Sequence, residues 1–259
     1  MHPTLRLALP ILASLLAAAH AAEPSAPPPY TLTEVWSPVP PVVTAPADGA
    51  PSDAIVLFDG KNLDAWAPAR PDGHPWKIED GAMVIVPTLA PARPCDQQTK
   101  RAFGDVQLHL EFRTPAEVKG SGQGRGNSGV FFMDKYEVQV LDCYGNKTYA
   151  DGATGGLYGQ HPALANACRP PGEWQTYDII FNVPHFGPNG EVVSPAYATV
   201  ILNGVVVQNH QAYRGPTGWK NPGKYSPHGP TGPLGLQYHN DSVSFRNIWV
   251  RPVPVVNEP

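Results

Sequence analysis

The chain has 259 residues, with 32 Pro, 25 Gly, 42% hydrophobic residues, only 15% charged residues and a net charge of −4. The apolar share rules out global disorder, and the shortage of charge argues against long solvated helices. No cationic surplus exists to neutralise phosphates, which argues against nucleic-acid binding.

Arg6 precedes an apolar run from Leu7 to Ala19, and Ala19-His20-Ala21 has the small-x-small pattern of a cleavage site. Residues 1–21 are therefore expected to be a secretory signal peptide, with the mature protein exported, periplasmic or secreted. No other stretch is apolar enough to span a bilayer, so no membrane span is expected in the mature chain. Residues 22–52 are rich in Pro and Ala and read as an extended tail. The folded domain is expected over 53–252, with a short tail at 253–259.

Within that domain the elements read as short strands. Ile55-Val56-Leu57-Phe58 is the first. Trp76–Glu79 and Ala82–Val86 flank Asp80-Gly81, a strong hairpin signal. In Val106–Arg113 the even positions are apolar and the odd ones polar, so one face packs on a core. Gly120–Ser128 is a glycine-rich loop, followed by strands at Gly129–Met133 and Tyr136–Leu141. A long loop, Asp142–Glu173, leads to a strand at Trp174–Phe181. Ala196–Leu202 and Val205–Gln208 form a hairpin about Asn203-Gly204. Gly232–Tyr238 and Val243–Val250 are expected to pair as the last two strands. Ten or more antiparallel strands with almost no helical periodicity predict an all-β, two-sheet jelly-roll sandwich.

Export would set an oxidising context for Cys95, Cys143 and Cys168. Cys143 and Cys168 stand at the two ends of a Gly-rich excursion, where a disulfide would staple the loop and leave Cys95 spare. Three reduced, buried thiols are the other reading. Asn146-Lys147-Thr148 matches a glycosylation sequon.

Glu137 and Gln139 share one face of their strand, and a carboxylate beside an amide on an open face suits proton transfer. Asp142 lies at an odd offset and joins that face only through a bulge. Glu111 and Arg113 share the polar face of another strand. If both strands lie in one sheet, Glu111, Arg113, Glu137 and Gln139 meet, and Gln237 and His239 can close the group. Such a cluster could hold a sugar or a cation, so a divalent metal is possible, although no spacing is diagnostic of one. Asn127 of the glycine-rich loop also belongs to the candidate sugar-binding set. Tyr144, Tyr158, Trp219 and Tyr225 lie in loops, where a flat ring can receive a pyranose face. No Gly-x-Ser-x-Gly elbow occurs.

Several segments together are similar to the 3-keto-disaccharide hydrolase domain family. They are Leu57-Phe58-Asp59-Gly60-Lys61-Asn62-Leu63 with Trp66, and Phe103–Arg113 ending in Glu111-Phe112-Arg113. Asn127-Ser128-Gly129-Val130, Tyr136–Asp142, Glu173–Asp178, Leu202-Asn203-Gly204, Gly235–His239 and Phe245–Ile248 complete the set. The resemblance implies a concanavalin A-like sandwich and cleavage of 3-keto-glycosides that a separate sugar 3-oxidising enzyme supplies. Glucanases of that fold carry a strand resembling Glu-x-Asp-x-x-Glu, whereas here Gln139 and Asp142 replace its second and third acids. Elimination therefore suits the chain better than two-carboxylate hydrolysis. A base removes the C2 proton, the C1 substituent leaves, and water adds to the enone. Glu137 is the expected base or metal ligand, Arg113 and His239 the enolate or hydroxyl partners, and Glu111 their orienting group. Gln139, Asn127, Gln237, Asp142, Tyr144 and Tyr158 are expected to contact substrate. The alternatives are a non-catalytic carbohydrate-binding module and a conventional glycosidase using Glu137 and Asp142.

Overall fold

The computed structural model describes residues 33–253 apart from 48, 89, 92, 221 and 222, and apart from the side chains of 93–95. The expected signal peptide at 1–21, most of the Pro-rich tail, the Cys95 thiol and the chain after 253 lie outside the described residues. The chain divides into two units, Met1–Val42 and Val43–Pro259. Of the first, residues 33–42 are described and carry no strand or helix. The second holds every strand among the described residues.

Period-two alternation builds that unit. In β6 (Val106–Arg113) the residues Val106, Leu108, Leu110 and Phe112 are buried and the polar residues between them are half-buried. The same alternation runs through β9 (Gln175–Asn182) and β12 (Tyr197–Leu202). One eight-stranded sheet runs in the order β13 (Val205–Ala212), β12, β9, β6, β15 (Ser244–Pro252), β4 (Ala82–Ile85), β3 (Trp76–Glu79), with β1 (Ile55–Phe58) also on β15. A five-stranded sheet runs in the order β2 (Trp66–Pro68), β5 (Arg93–Phe103), β14 (Gly232–Tyr238), β7 (Ser128–Phe132), β8 (Tyr136–Val140). A small ribbon joins β10 (His185–Phe186) and β11 (Val192–Ser194). All strand pairings are antiparallel. Phe112, Tyr177, Phe181 and Phe245 of the large sheet belong to one core cluster with Phe132, Tyr136, Val138 and Leu236 of the small one. This is the all-β jelly-roll sandwich that the strand pattern predicts; apart from strands, the described residues contain only single 3-10 turns, such as Gly122–Gly124 and Ala150–Gly152.

The two hairpins form as their turn residues predict. Asp80 and Gly81 take φ of 50° and 72°, and Asn203 and Gly204 take 51° and 81°. Both residues of each turn adopt the left-handed region that a two-residue hairpin requires. One expectation needs correction, and one strand is not foreseen. β14 and β15 do not pair; they belong to different sheets, because the chain crosses the sandwich between Tyr238 and Ser244. The 11-residue β5 is not evident in the sequence, because Asp96, Gln97, Gln98, Thr99, Lys100 and Arg101 lack apolar alternation.

Candidate functional site

β8 places the acid. Tyr136, Val138 and Val140 join the core, so Glu137 and Gln139 face outward from the small sheet. β8 ends that sheet, and residues 155–158 run beside it. Leu157 bridges Val138 in the antiparallel sense, and Gln139 and Gly156 exchange a bond through Gln139 N and Gly156 O at 3.0 Å. Leu157 is buried with Val138, so its neighbour Tyr158 stands beside Glu137 on the outer face; Tyr158 N donates to Glu137 O at 3.4 Å.

Glu137 is nevertheless 3% exposed. Phe131 stands directly opposite it on β7. The carboxylate folds over Gly129, where a Cβ would lie 2.4 Å from Glu137 Oε1. Burial pushes its pKa up to about 8, because no cation compensates for the lost water. Thr217 Oγ1 accepts from Glu137 N at 3.0 Å and anchors the following loop over this strand.

Gln139 is 1% exposed and lies between acceptors. With its amide nitrogen turned toward Glu137, it donates to Glu137 Oε1 at 3.2 Å and Ser128 O at 2.9 Å. Turned away, it donates to Gln123 Oε1 at 3.1 Å and Asn127 Oδ1 at 3.4 Å. In the second orientation the amide oxygen faces Glu137, and only a protonated carboxyl can donate to it. The first orientation is the one its neighbours favour, since in the second the amide oxygen also faces Ser128 O, which cannot donate.

The glycine-rich loop completes this network. Gln123 Nε2 donates to Thr148 Oγ1 and Gly152 O, both at 2.8 Å. Asn127 Nδ2 donates to Gln123 O at 2.7 Å, and Asn127 N donates to Asp241 Oδ2 at 2.9 Å. The register of Leu236 opposite Val130 places Gln237 beside Gly129 on the same face. Two open cavities of about 400 Å³ lie in this region, one of them against the loop at Gly124. His239, Asp241 and Gly124 line one. Tyr149, Asp151, Tyr158, Trp219 and Lys220 line the other. Tyr149 and Tyr158 hydroxyls meet at 2.7 Å, and burial raises the Tyr158 pKa, so its proton is retained.

Other expected members lie elsewhere. Glu111 and Arg113 belong to β6 in the large sheet, and Glu137 and Gln139 to the small one, so the expected four-residue cluster does not form. Polar residues of each sheet face away from the shared core, and hence away from each other. Glu111 instead pairs with Arg246 at 2.7 Å and accepts from Asn247 at 3.1 Å. Arg113 and Arg246 both lie over the Trp174 ring, at 4.6 Å and 4.1 Å. Asp142 is buried against Arg125, Nε to Oδ2 at 2.6 Å, and accepts from Tyr144 N at 3.1 Å. Tyr144 is half exposed beside this pair, while Tyr225 turns inward to bond Tyr213 O.

No disulfide joins Cys143 and Cys168; both are free thiols that contact each other. The contact with Cys168, followed by donation from Thr154, lowers the Cys143 pKa. The sequon asparagine is committed to the fold, since Asn146 Nδ2 donates to Asp142 O and Gly122 O. Among the described residues, no cluster of three or more His, Cys, Asp or Glu side chains could hold a metal ion. The sequence reading missed Gln123, Phe131, Tyr149 and Lys220. The glycine-rich composition around Gln123 was the available signal, because a close-packed loop needs residues without Cβ atoms.

Residues 53–251 match the model of the 3-keto-alpha-glucoside-1,2-lyase-like domain. A curated 3-keto-disaccharide hydrolase of Bacteroides thetaiotaomicron is 25% identical over 256 residues, covering 76% of this chain and 77% of that protein. A Parabacteroides distasonis ATCC 8503 crystal structure described as a candidate glycosyl hydrolase is 45% identical. It has a TM-score of 0.80, covering 86% of this chain and 96% of its own. Another from the same organism, at 24% identity and a TM-score of 0.54, covers 77% of this chain and 99% of its own and shares the fold.

Proposed function

The chain belongs to the 3-keto-alpha-glucoside-1,2-lyase-like domain family, and from that premise we propose that it is a carbohydrate hydrolase acting on glycosides already oxidised at C3. The observation that carries this reading is the desolvated Glu137, with Gln139 against its carboxyl and Tyr158 at its side. A C3 ketone acidifies the C2 proton but leaves it a weak acid. A carboxylate with a raised pKa is a stronger base toward it than an ordinary Glu.

In this mechanism Glu137 takes the C2 proton, and the electron pair forms an enolate on C2, C3 and the ketone oxygen. The enolate expels the C1 substituent, whose oxygen takes the Tyr158 proton. Water then adds to the enone: its hydroxyl bonds C1 while its other proton restores Tyr158, and Glu137, after exchange with solvent, returns a proton to C2. The sum is hydrolysis. Asn127, Gln139 and Gln237 supply amide groups for the sugar, and His239 a further partner from the second cavity. Glu111 and Arg113 have no role at this face. The protein would act outside the cytoplasm, behind the leader expected at 1–21, on sugars supplied by a separate 3-oxidising enzyme.

Incubation of the purified protein with a glucoside and with its 3-keto form tests the reading. Cleavage of the 3-keto form alone, with deuterium from solvent entering C2, is expected. Cleavage of the unoxidised glucoside would indicate a conventional glycosidase, and inertness toward both a binding module.

A further inference from the structure

We infer that Tyr149 is the positioning residue of the acid: its hydroxyl donates to Tyr158 and holds the phenolate that Tyr158 becomes when the leaving oxygen takes its proton. The inference rests on the reading of Glu137 as the base at C2 and of Tyr158 as the acid. Among the described residues, each hydroxyl has only the other as a hydrogen-bond partner, at 2.7 Å. The rings are tilted by 60° with centroids 6.2 Å apart, so the hydroxyl tips and not the ring faces make the contact. One proton lies between the two oxygens, and the other is free. Only donation by Tyr149 leaves the Tyr158 proton free for the leaving oxygen.

The fold fixes both partners. Tyr149 opens the 3-10 turn Ala150–Gly152, and Gly152 N donates to Tyr149 O at 3.1 Å. The Tyr149 ring packs on that turn, where a Cβ on Gly152 would overlap it. Gly152 O accepts from Gln123 Nε2, which ties the turn to the amide network beside Glu137. Gly159 N donates to Asp151 O at 3.0 Å and clamps the Tyr158 segment to the same turn. Charge explains why the acid needs a donor. Burial above all, with the Glu137 and Asp151 charges adding to it, opposes ionisation of Tyr158. The Tyr149 bond also opposes it while Tyr158 is the donor, and favours it once Tyr149 donates. Glu137 is neutral after taking the C2 proton, so its repulsion is gone when the phenolate forms. The Asp151 carboxylate takes no proton in the step, and a hydrogen bond from Tyr149 offsets its repulsion. The Tyr158 O–H bond breaks, the O–H bond of the leaving group forms, and Tyr149 keeps its own proton throughout.

Tyr149→Phe keeps the ring and removes the hydroxyl. Turnover of methyl and 4-nitrophenyl 3-keto-glucosides by the full chain, with deuterium uptake at C2 of the recovered substrate, tests the inference. A methoxide leaving group needs a proton, whereas 4-nitrophenolate leaves without one. The variant should lose at least ~10-fold more kcat on the methyl substrate than on the 4-nitrophenyl one, the scale of a lost hydrogen bond to a charged group. Both rates come from one protein, so partial unfolding lowers them alike and leaves their ratio unmoved. Deuterium should accumulate in uncleaved methyl substrate, because the enolate forms and returns before the leaving group departs. Tyr158→Phe should show the same selectivity, and adding Tyr149→Phe to it should bring no further loss. Equal losses on both substrates, or no rise in exchange relative to cleavage, would overturn the role of Tyr149 and leave the hydrolase reading standing. Wild type that neither cleaves nor exchanges C2 would sink that reading and this inference with it.

Discussion

Gly129 and Glu137 are bound by a steric exclusion: a Cβ on Gly129 would stand 2.4 Å from Glu137 Oε1. Gly129→Ala must therefore evict the carboxylate from its place against Gln139. Cleavage of the 3-keto substrate should fall at least ~100-fold, the scale of a misplaced general base. The overpacking should cost about 1–3 kcal/mol, read by thermal melting. An alanine variant with full kcat/KM would show that the carboxylate position is not critical.

Burial of Glu137 makes both activity and stability depend on pH. Its pKa of about 8 in the folded chain exceeds the ordinary carboxyl value of 4.5. The fold favours the protonated form, so this group's contribution is complete below 4.5 and is lost as pH rises through about 8. Cleavage needs the ionised form, so kcat/KM should rise with pH and level off above about 8. Glu137→Gln should abolish cleavage yet melt above wild type at the alkaline end. An acid-side optimum would reverse the assigned role.

The Arg125–Asp142 ion pair belongs to the scaffold. The two side chains are only 15% and 3% exposed. Asp142→Asn strands a guanidinium there, and unfolding in urea should show a loss of about 3 kcal/mol. A conventional glycosidase acid would behave otherwise, losing catalysis with stability intact.

Cys143 and Cys168 face each other across the loop that carries Tyr149 and Tyr158. Thr154 N and Oγ1 donate to Cys143 Sγ at 3.2 Å and 3.3 Å, and Asn166 bonds Cys143 O and Cys168 N. Incubation with oxidised glutathione should join them: the Cys143 thiolate attacks the disulfide, releasing one reduced glutathione. Cys168 then displaces the other, and its proton passes to solvent. Alkylation of the denatured protein followed by mass measurement should find this pair protected until reductant is added. Labelling of both thiols without reductant would show that they stay apart.

Glu111→Gln and Arg113→Ala separate the two sheet faces. Both residues lie on the outer face of the large sheet, in a partly exposed network with Arg246 and Trp174. Either change should leave 3-keto cleavage within about two-fold and cost at most about 1 kcal/mol. A collapse of kcat without unfolding would place a second reacting group on that face.

Strand identity in Val106–Arg113 and the turns at Asp80-Gly81 and Asn203-Gly204 follow from the chain alone, because side-chain period and local φ requirements are short-range properties. The pairing of Glu137 with Gln139 is equally local, two residues apart on one strand. Partnership between strands is not local. The odd positions of β6 and of β8 look alike as polar faces, yet they point away from opposite sides of one core, and that alone removes Glu111 and Arg113 from the site. Tyr158 reaches Glu137 only through the pairing of residues 155–158 with β8, inside a segment whose sequence reads as loop. The raised pKa of Glu137 likewise needed the fold, since desolvation depends on Phe131 and Gly129 arriving from the neighbouring strand.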